Sequence, residues 1–181
     1  EIINLVPETY NAWHAGASKW KNFNSLNKYS IGIEINNPGH WHKYKRFNPK
    51  QVLSLIKLLK YLLKKYDIKK ENILGHSDVA PSRKKDPGEK FPWSKLAKKN
   101  LCIWHELAEN KIKIYRKTSL SLAEENKLLK NLYKIGYCKI KKISSKKNKE
   151  YLIKAFQRRF RPDLVDGKMD LECLLISKNL I

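Results

Sequence analysis

Acidic residues are scarce in this chain: 17 Asp and Glu stand against 39 Lys and Arg in 181 residues, a formal net charge of +22. A surface of that sign favours polyanions as a class. Nucleic acid, anionic lipid headgroups and acidic wall polymers all qualify, and a lysine-rich coding bias at merely solvated positions accounts for the charge equally well. Cysteine is sparse too. Cys102, Cys138 and Cys173 are far apart, odd in number and without C-x-x-C spacing, which excludes a disulfide framework or a zinc knuckle and points to small core residues. Long apolar runs are missing. Lys57 and Lys60 interrupt the best candidate, so no integral membrane segment is expected. No internal repeat is visible.

What is present divides into two halves. All five tryptophans fall within the first 104 residues, where strand and helix patterns mix. Ile2 to Val6 reads as a short strand. Tyr29 to Asn36 alternates, with Ile31, Ile33 and Ile35 on one side and Gly32, Glu34 and Asn36 on the other. Asn48-Pro49 is a helix start, and Val52, Leu55, Ile56, Leu59, Leu62, Leu63 and Tyr66 then recur at helical spacing, predicting a helix that covers the sheet. Ile73-Leu74 leads into Gly75-His76 as a short strand ending on a histidine. From Ser77 to Trp93 the chain is broken by Pro and Gly and is expected to be a functional loop.

The second half is helical. Ser121 and Glu124 form a capping box for a helix stopping at Gly136. A second helix is expected from about Asn148, burying Leu152, Ala155, Phe156 and Phe160. A third should start at Asp170 and bury Leu171, Leu174 and Leu175. The predicted fold class is α/β, a mixed sheet flanked by helices, plus a small three-helix unit. The divisions are 1–109, a linker at 110–118, and 119–181.

Of the five histidines, His76 stands out, because Asp86 follows ten residues later beside Pro87-Gly88. A neutral imidazole and a carboxylate are both good zinc donors. His40-Trp41-His42 lies beside Pro38-Gly39 and reads as a loop without metal. Glu34 sits on the strand face opposite the isoleucines, where a surface salt bridge is the ordinary role.

Four segments, Ala12-Trp13-His14-Ala15-Gly16, Ser30 to Ile35, Gly75 to Pro81 and Arg83 to Gly88, occur in an order and at separations that resemble the type 2 N-acetylmuramoyl-L-alanine amidases. Phe91-Pro92-Trp93 extends the likeness, which covers about residues 1–105. The stretch from Trp20 to Leu26-Asn27 is similar to the broad-specificity, envelope-located branch. The resemblance implies a zinc enzyme that hydrolyses the amide between N-acetylmuramic acid, or its 1,6-anhydro form, and L-alanine in peptidoglycan or muropeptides. It implies zinc ligands at His76 and Asp86, with a third ligand, a histidine, expected upstream of Glu1, where a removed export signal would also sit. Glu34 matches the catalytic glutamate and Lys84 the catalytic lysine, although Arg83, Lys84 and Lys85 are hard to rank. Trp13 and His14 would line the substrate groove. Residues 151–170, with Ala155 to Phe160 and Val165-Asp166-Gly167, resemble a three-helix peptidoglycan-binding domain whose usual glycine-rich ending is altered to Lys168-Met169-Asp170.

The expected partner is therefore peptidoglycan and not nucleic acid. The chain is expected to act as a monomer, with one Zn2+ per chain, in the cell envelope or periplasm, the cytoplasm being the alternative. The competing reading is a peptidoglycan recognition protein of the same fold that binds without cutting. Survival of His76, Asp86, Glu34 and Lys84 argues for catalysis.

Overall fold

The computed structural model describes residues 1–139 and 146–181. Apart from an isolated antiparallel bridge between Ser119 and Asp170, the one ladder among them is a two-residue hairpin, β1 (Lys19–Trp20) paired antiparallel with β2 (Phe23–Asn24), with Trp20 opposite Phe23. Lys21 turns the chain at positive φ and donates its N–H to the Gly136 carbonyl at 2.7 Å, joining the hairpin to the helical half. The strands expected at 2–6 and 29–36 carry no ladder in the described structure. Alternation predicts only which side chains turn inward; a strand also needs a neighbour that takes its N–H and C=O groups in a ladder, and among the described residues these segments form none. The inward choice still holds for Ile33 and Ile35, which pack on a core while Glu34 faces solvent. Ile31, expected inside, is exposed.

Helix α1 (Pro49–Lys65) starts where expected. The Asn48 side chain accepts from the Lys50 N–H at 2.9 Å, and Gln51 returns the bond to the Asn48 N–H. Its buried stripe is Leu55, Leu59 and Leu62, with Tyr66 left exposed past the last turn. Instead of a sheet, the helix covers a cluster of Phe91, Trp93, Leu96, Leu101 and Cys102. Two short helices punctuate the predicted loop: α2 (His76–Val79) and α3 (Trp93–Ala97). His76 thus opens a helical turn and does not end a strand.

After α4 (Glu109–Ile112) come α5 (Leu122–Ile135), α6 (Lys146–Phe160) and α7 (Leu171–Asn179). Ser121 and Glu124 form the capping box, Gly136 ends α5, and Asp170 caps α7 through the Cys173 N–H at 2.9 Å. Leu152, Ala155, Phe156, Phe160 and Leu174 are buried, whereas Leu171 and Leu175 are only half-buried and Ile176 takes the inner place. These helices share one core with Ala15, Trp20, Leu26, Val79 and Ala80. Cys102 and Cys173 are free and buried, while Cys138 is free and half-buried. No helix among the described residues is long and apolar enough to cross a membrane.

Candidate active site

The turn at Gly75-His76 is held from below. Asp78, 1% exposed, accepts the Gly75 N–H at 2.8 Å and so closes the first turn of α2. Its carboxylate also accepts from Arg159 Nη1 at 2.7 Å and from the Tyr137 hydroxyl at 2.7 Å. Arg159, 2% exposed, donates to the Ile73 carbonyl at 2.8 Å and lies over the Trp93 ring at 4.4 Å. Burial opposes the charge on Arg159, and Asp78 with Tyr137 more than restores it. Burial and the neighbouring Asp78 charge push the Tyr137 phenol well above its ordinary range. Residues from α6 and the end of α5 thus fix the backbone that presents His76. Sequence reading missed this network, although an Arg-Arg pair inside an otherwise apolar helical stripe was a signal for it.

From that base, His76 meets Asp86: Nδ1 lies 3.0 Å from Oδ2. The Ser77 N–H donates to the Asp86 carbonyl at 2.9 Å, pinning the returning loop, and the Asp86–Pro87 bond is cis. His76 Nε2 lies 3.1 Å from the Ala15 carbonyl. A neutral imidazole donates from one nitrogen only. If Nε2–H donates to Ala15, the Nδ1 lone pair faces a carboxylate, an arrangement that a cation between them would relieve. Burial pushes the Asp86 carboxyl up, but the His76 bond and the nearby Lys84 charge outweigh it and hold it below its usual value. Imidazole plus carboxylate, with the second ring N–H on a backbone carbonyl, is the donor chemistry of a zinc site. The pair fits two ligand positions; among the described residues no group of three His, Cys, Asp or Glu side chains could hold a metal.

The three basic residues before Asp86 now separate. Arg83 Nη2 donates to the Ala15 carbonyl at 2.7 Å and the Ala17 carbonyl at 3.2 Å. A Cβ on Gly16, where φ is +57°, would come within 3.0 Å of that guanidinium, so the motif glycine is required for both conformation and space. Lys84 is half-buried and acts on Asp86 through its charge. Lys85 lies over Trp41, its Nζ 5.7 Å from the ring centroid.

His14 is held by its Nδ1 to the Ala12 carbonyl at 3.0 Å and its Nε2 to Ser30 Oγ at 2.9 Å. A Cβ on Gly32 would reach within 2.5 Å of the His14 ring, so this histidine rests on the backbone of the segment that carries Glu34 two residues later. Glu34 is exposed, and no hydrogen bond or ion pair engages it among the described residues. Trp13 is 90% exposed. A cavity of about 20 Å³ lies elsewhere, lined by His105, Arg116, Phe160 and Arg161; it is large enough for one water and far too small for a sugar peptide.

Comparison with known proteins matches residues 1–89 to the N-acetylmuramoyl-L-alanine amidase family. The N-acetylmuramoyl-L-alanine amidase AmiD of Escherichia coli (strain K12) is 37% identical over 186 residues, which cover 99% of this chain and 67% of AmiD. The chain belongs to the N-acetylmuramoyl-L-alanine amidases. These are hydrolases of an amide bond and take part in bacterial peptidoglycan turnover. The 1,6-anhydro-N-acetylmuramyl-L-alanine amidase AmpD of Enterobacter cloacae is 37% identical over 96 residues, covering 53% of this chain and about half, 49%, of AmpD. Among solved structures, AmiD from E. coli in complex with the substrate anhydro-N-acetylmuramic acid-L-Ala-D-gamma-Glu-L-Lys superposes with a TM-score of 0.87 at 36% identity. That match covers 99% of this chain and 72% of the AmiD chain. AMPDH3 from Pseudomonas aeruginosa gives a TM-score of 0.83 at 34% identity, covering 98% of this chain and 71% of that one. The structural likeness runs through α5, α6 and α7 as well as the amidase segment. The mixed fold with its small sheet is therefore that of this amidase family.

Proposed function

We propose that this chain hydrolyses the amide between N-acetylmuramic acid, in intact or 1,6-anhydro form, and L-alanine, using zinc held by His76 and Asp86. The single observation that carries the reading is the His76 Nδ1 to Asp86 Oδ2 approach at 3.0 Å, with Nε2 against the Ala15 carbonyl. The family pattern calls for a third protein ligand, a histidine, beside this pair. Zinc in such a site supplies Lewis acidity, activating water near neutral pH and polarising a carbonyl.

The chain's own residues do the rest. Glu34 takes the proton of the attacking water on its carboxylate and returns it to the leaving nitrogen of L-alanine, a role typically worth about 10²- to 10⁴-fold. Lys84 brings its ammonium to the oxyanion that forms on the lactyl carbonyl, a term of about 3–4 kcal/mol for one well-placed donor. Arg83 holds Ala15 and Gly16 against His76, and His14, seated on Gly32, ties Trp13 to the segment that carries Glu34. Trp13 offers an open aromatic face to the muramyl ring. Residues 119–181 act as a peptidoglycan-binding-like unit behind a catalytic unit of residues 1–109, joined by 110–118, and the protein works as a monomer in the cell envelope.

The test is hydrolysis of a muramyl-L-alanine peptide, with products identified by mass and zinc measured on the same samples. Glu34→Ala is expected to lose at least about 100-fold in kcat while its zinc content matches that of the parent. Chelation should abolish activity and zinc should restore it. Full activity of Glu34→Ala removes that residue from the mechanism; binding of the peptide without any cleavage or zinc leaves a recognition protein of the same fold.

A further inference from the structure

Trp41 is 88% exposed, yet the loop that carries it is tightly tied down. Asn37 spans the loop, its Nδ2 donating to the Lys45 carbonyl at 3.1 Å and its Oδ1 accepting from the Gly39 N–H at 3.0 Å. The flanking residues dock on the loop that holds Asp86. His40 Nε2 meets Glu89 Oε2 at 3.0 Å, the Tyr44 hydroxyl donates to the Pro87 carbonyl at 2.6 Å, and the Lys90 N–H donates back to that hydroxyl at 3.0 Å. The His40 and Tyr44 rings lie tilted against each other with centroids 4.4 Å apart. A Cβ on Gly88 would come within 2.6 Å of the Tyr44 hydroxyl and 2.8 Å of the His40 ring, so the two loops touch with no slack.

This mounting places a wide, solvent-facing indole beside Lys85, the residue next to Asp86 in the chain. A large aromatic left open on a floppy loop would be unremarkable; one held rigidly at the rim of a site is pre-organised to bind. With the Lys85 ammonium on one side of the ring at 5.7 Å, the 88% exposure of Trp41 leaves the opposite face open among the described residues.

We propose that Trp41 and Lys85 form a saccharide subsite, distinct from the Trp13 wall, that takes the sugar next to the muramic acid being stripped of its peptide. The flat C–H face of a pyranose stacks on the indole, and the Lys85 ammonium donates to a hydroxyl or an N-acetyl carbonyl of that sugar. The proposal rests on the amidase reading and deepens it, because it makes a glycan of two or more sugars a better substrate than a single muramyl peptide.

Two arms of one experiment test it on the full chain. The first compares kcat/KM on a disaccharide tripeptide with that on a muramyl tripeptide of one sugar. Trp41→Ala should lower the ratio of the two about tenfold, and Trp41→Phe should restore most of it, as expected for an aromatic stack. A ratio unmoved by Trp41→Ala, or one that Trp41→Phe fails to restore, overturns the subsite. The second arm titrates chitotetraose against the wild type and Trp41→Phe and follows the Trp41 indole N–H resonance. A saturable shift of that resonance, with no cleavage of either peptide, upholds the subsite and fails the amidase reading. Absence of the shift overturns the subsite whether or not cleavage occurs.

Discussion

Replacing Arg159 by methionine removes the cation from a carboxylate that water cannot reach. Asp78 is 1% exposed and Arg159 2% exposed, and their N–O separation is 2.7 Å. Making such a pair yields little net stability, because desolvation offsets attraction, but breaking one from a single side costs about 3–5 kcal/mol. Tyr137 and the Gly75 N–H would remain on Asp78, so the bottom of that range, about 3 kcal/mol, is expected. The Ile73 carbonyl loses its donor as well, and Trp93 loses the guanidinium over its ring, which brings the figure back to about 3–4 kcal/mol. Against a typical total of about 5–15 kcal/mol, that is a large share. Urea unfolding followed by tryptophan fluorescence should show the midpoint falling by about 1–3 M at an unchanged slope. The pair variant Asp78→Asn with Arg159→Met should recover part of the loss, since no buried charge is then stranded. A loss below about 1 kcal/mol in the single variant would mean that Asp78 is hydrated or neutral, and the brace beneath His76 would have to be abandoned.

Gly136 has φ at +137°, and a Cβ there would sit 2.5 Å from the Trp20 ring. Gly136→Ala should therefore destabilise by at least about 2 kcal/mol, from backbone strain and overpacking; a neutral or stabilising result in the same urea assay refutes the contact. His105 is buried, which lowers its pKa, with a bond to the Phe160 carbonyl opposing the shift in part. A histidine with its folded pKa below the unfolded value of about 6.5 lends stability that is complete above that pH and is lost as pH falls through the lowered value. The unfolding midpoint should thus drop more between pH 7.5 and 5.5 in the parent than in His105→Phe, and equal pH slopes would refute the burial argument.

Local patterns read well because they depend on neighbours in the chain. The Asn48 and Ser121 caps, the stop at Gly136, the buried stripes of α1 and α6 and the inward turn of Ile33 and Ile35 all follow from spacing alone. The strands at 2–6 and 29–36 did not form ladders, since periodicity says nothing about a pairing partner. The hairpin at β1 and β2 was missed because two-residue strands leave no periodic signal, and its place is fixed by Trp20 packing on Gly136 and Tyr137, more than a hundred positions away.

For the site, the motifs singled out His76, Asp86, Glu34 and Lys84 as candidates and pointed to the amidase family. The sequence determined that much because donor chemistry and motif spacing are properties of residues in order. Only the tertiary structure decided that His76 and Asp86 meet, that Arg83 clamps Ala15, and that Arg159 and Tyr137 reach across from the helical half to hold Asp78. Those contacts join residues up to 81 positions apart, and the burial that makes an ion pair or a ring N–H consequential exists only once the chain has closed around it.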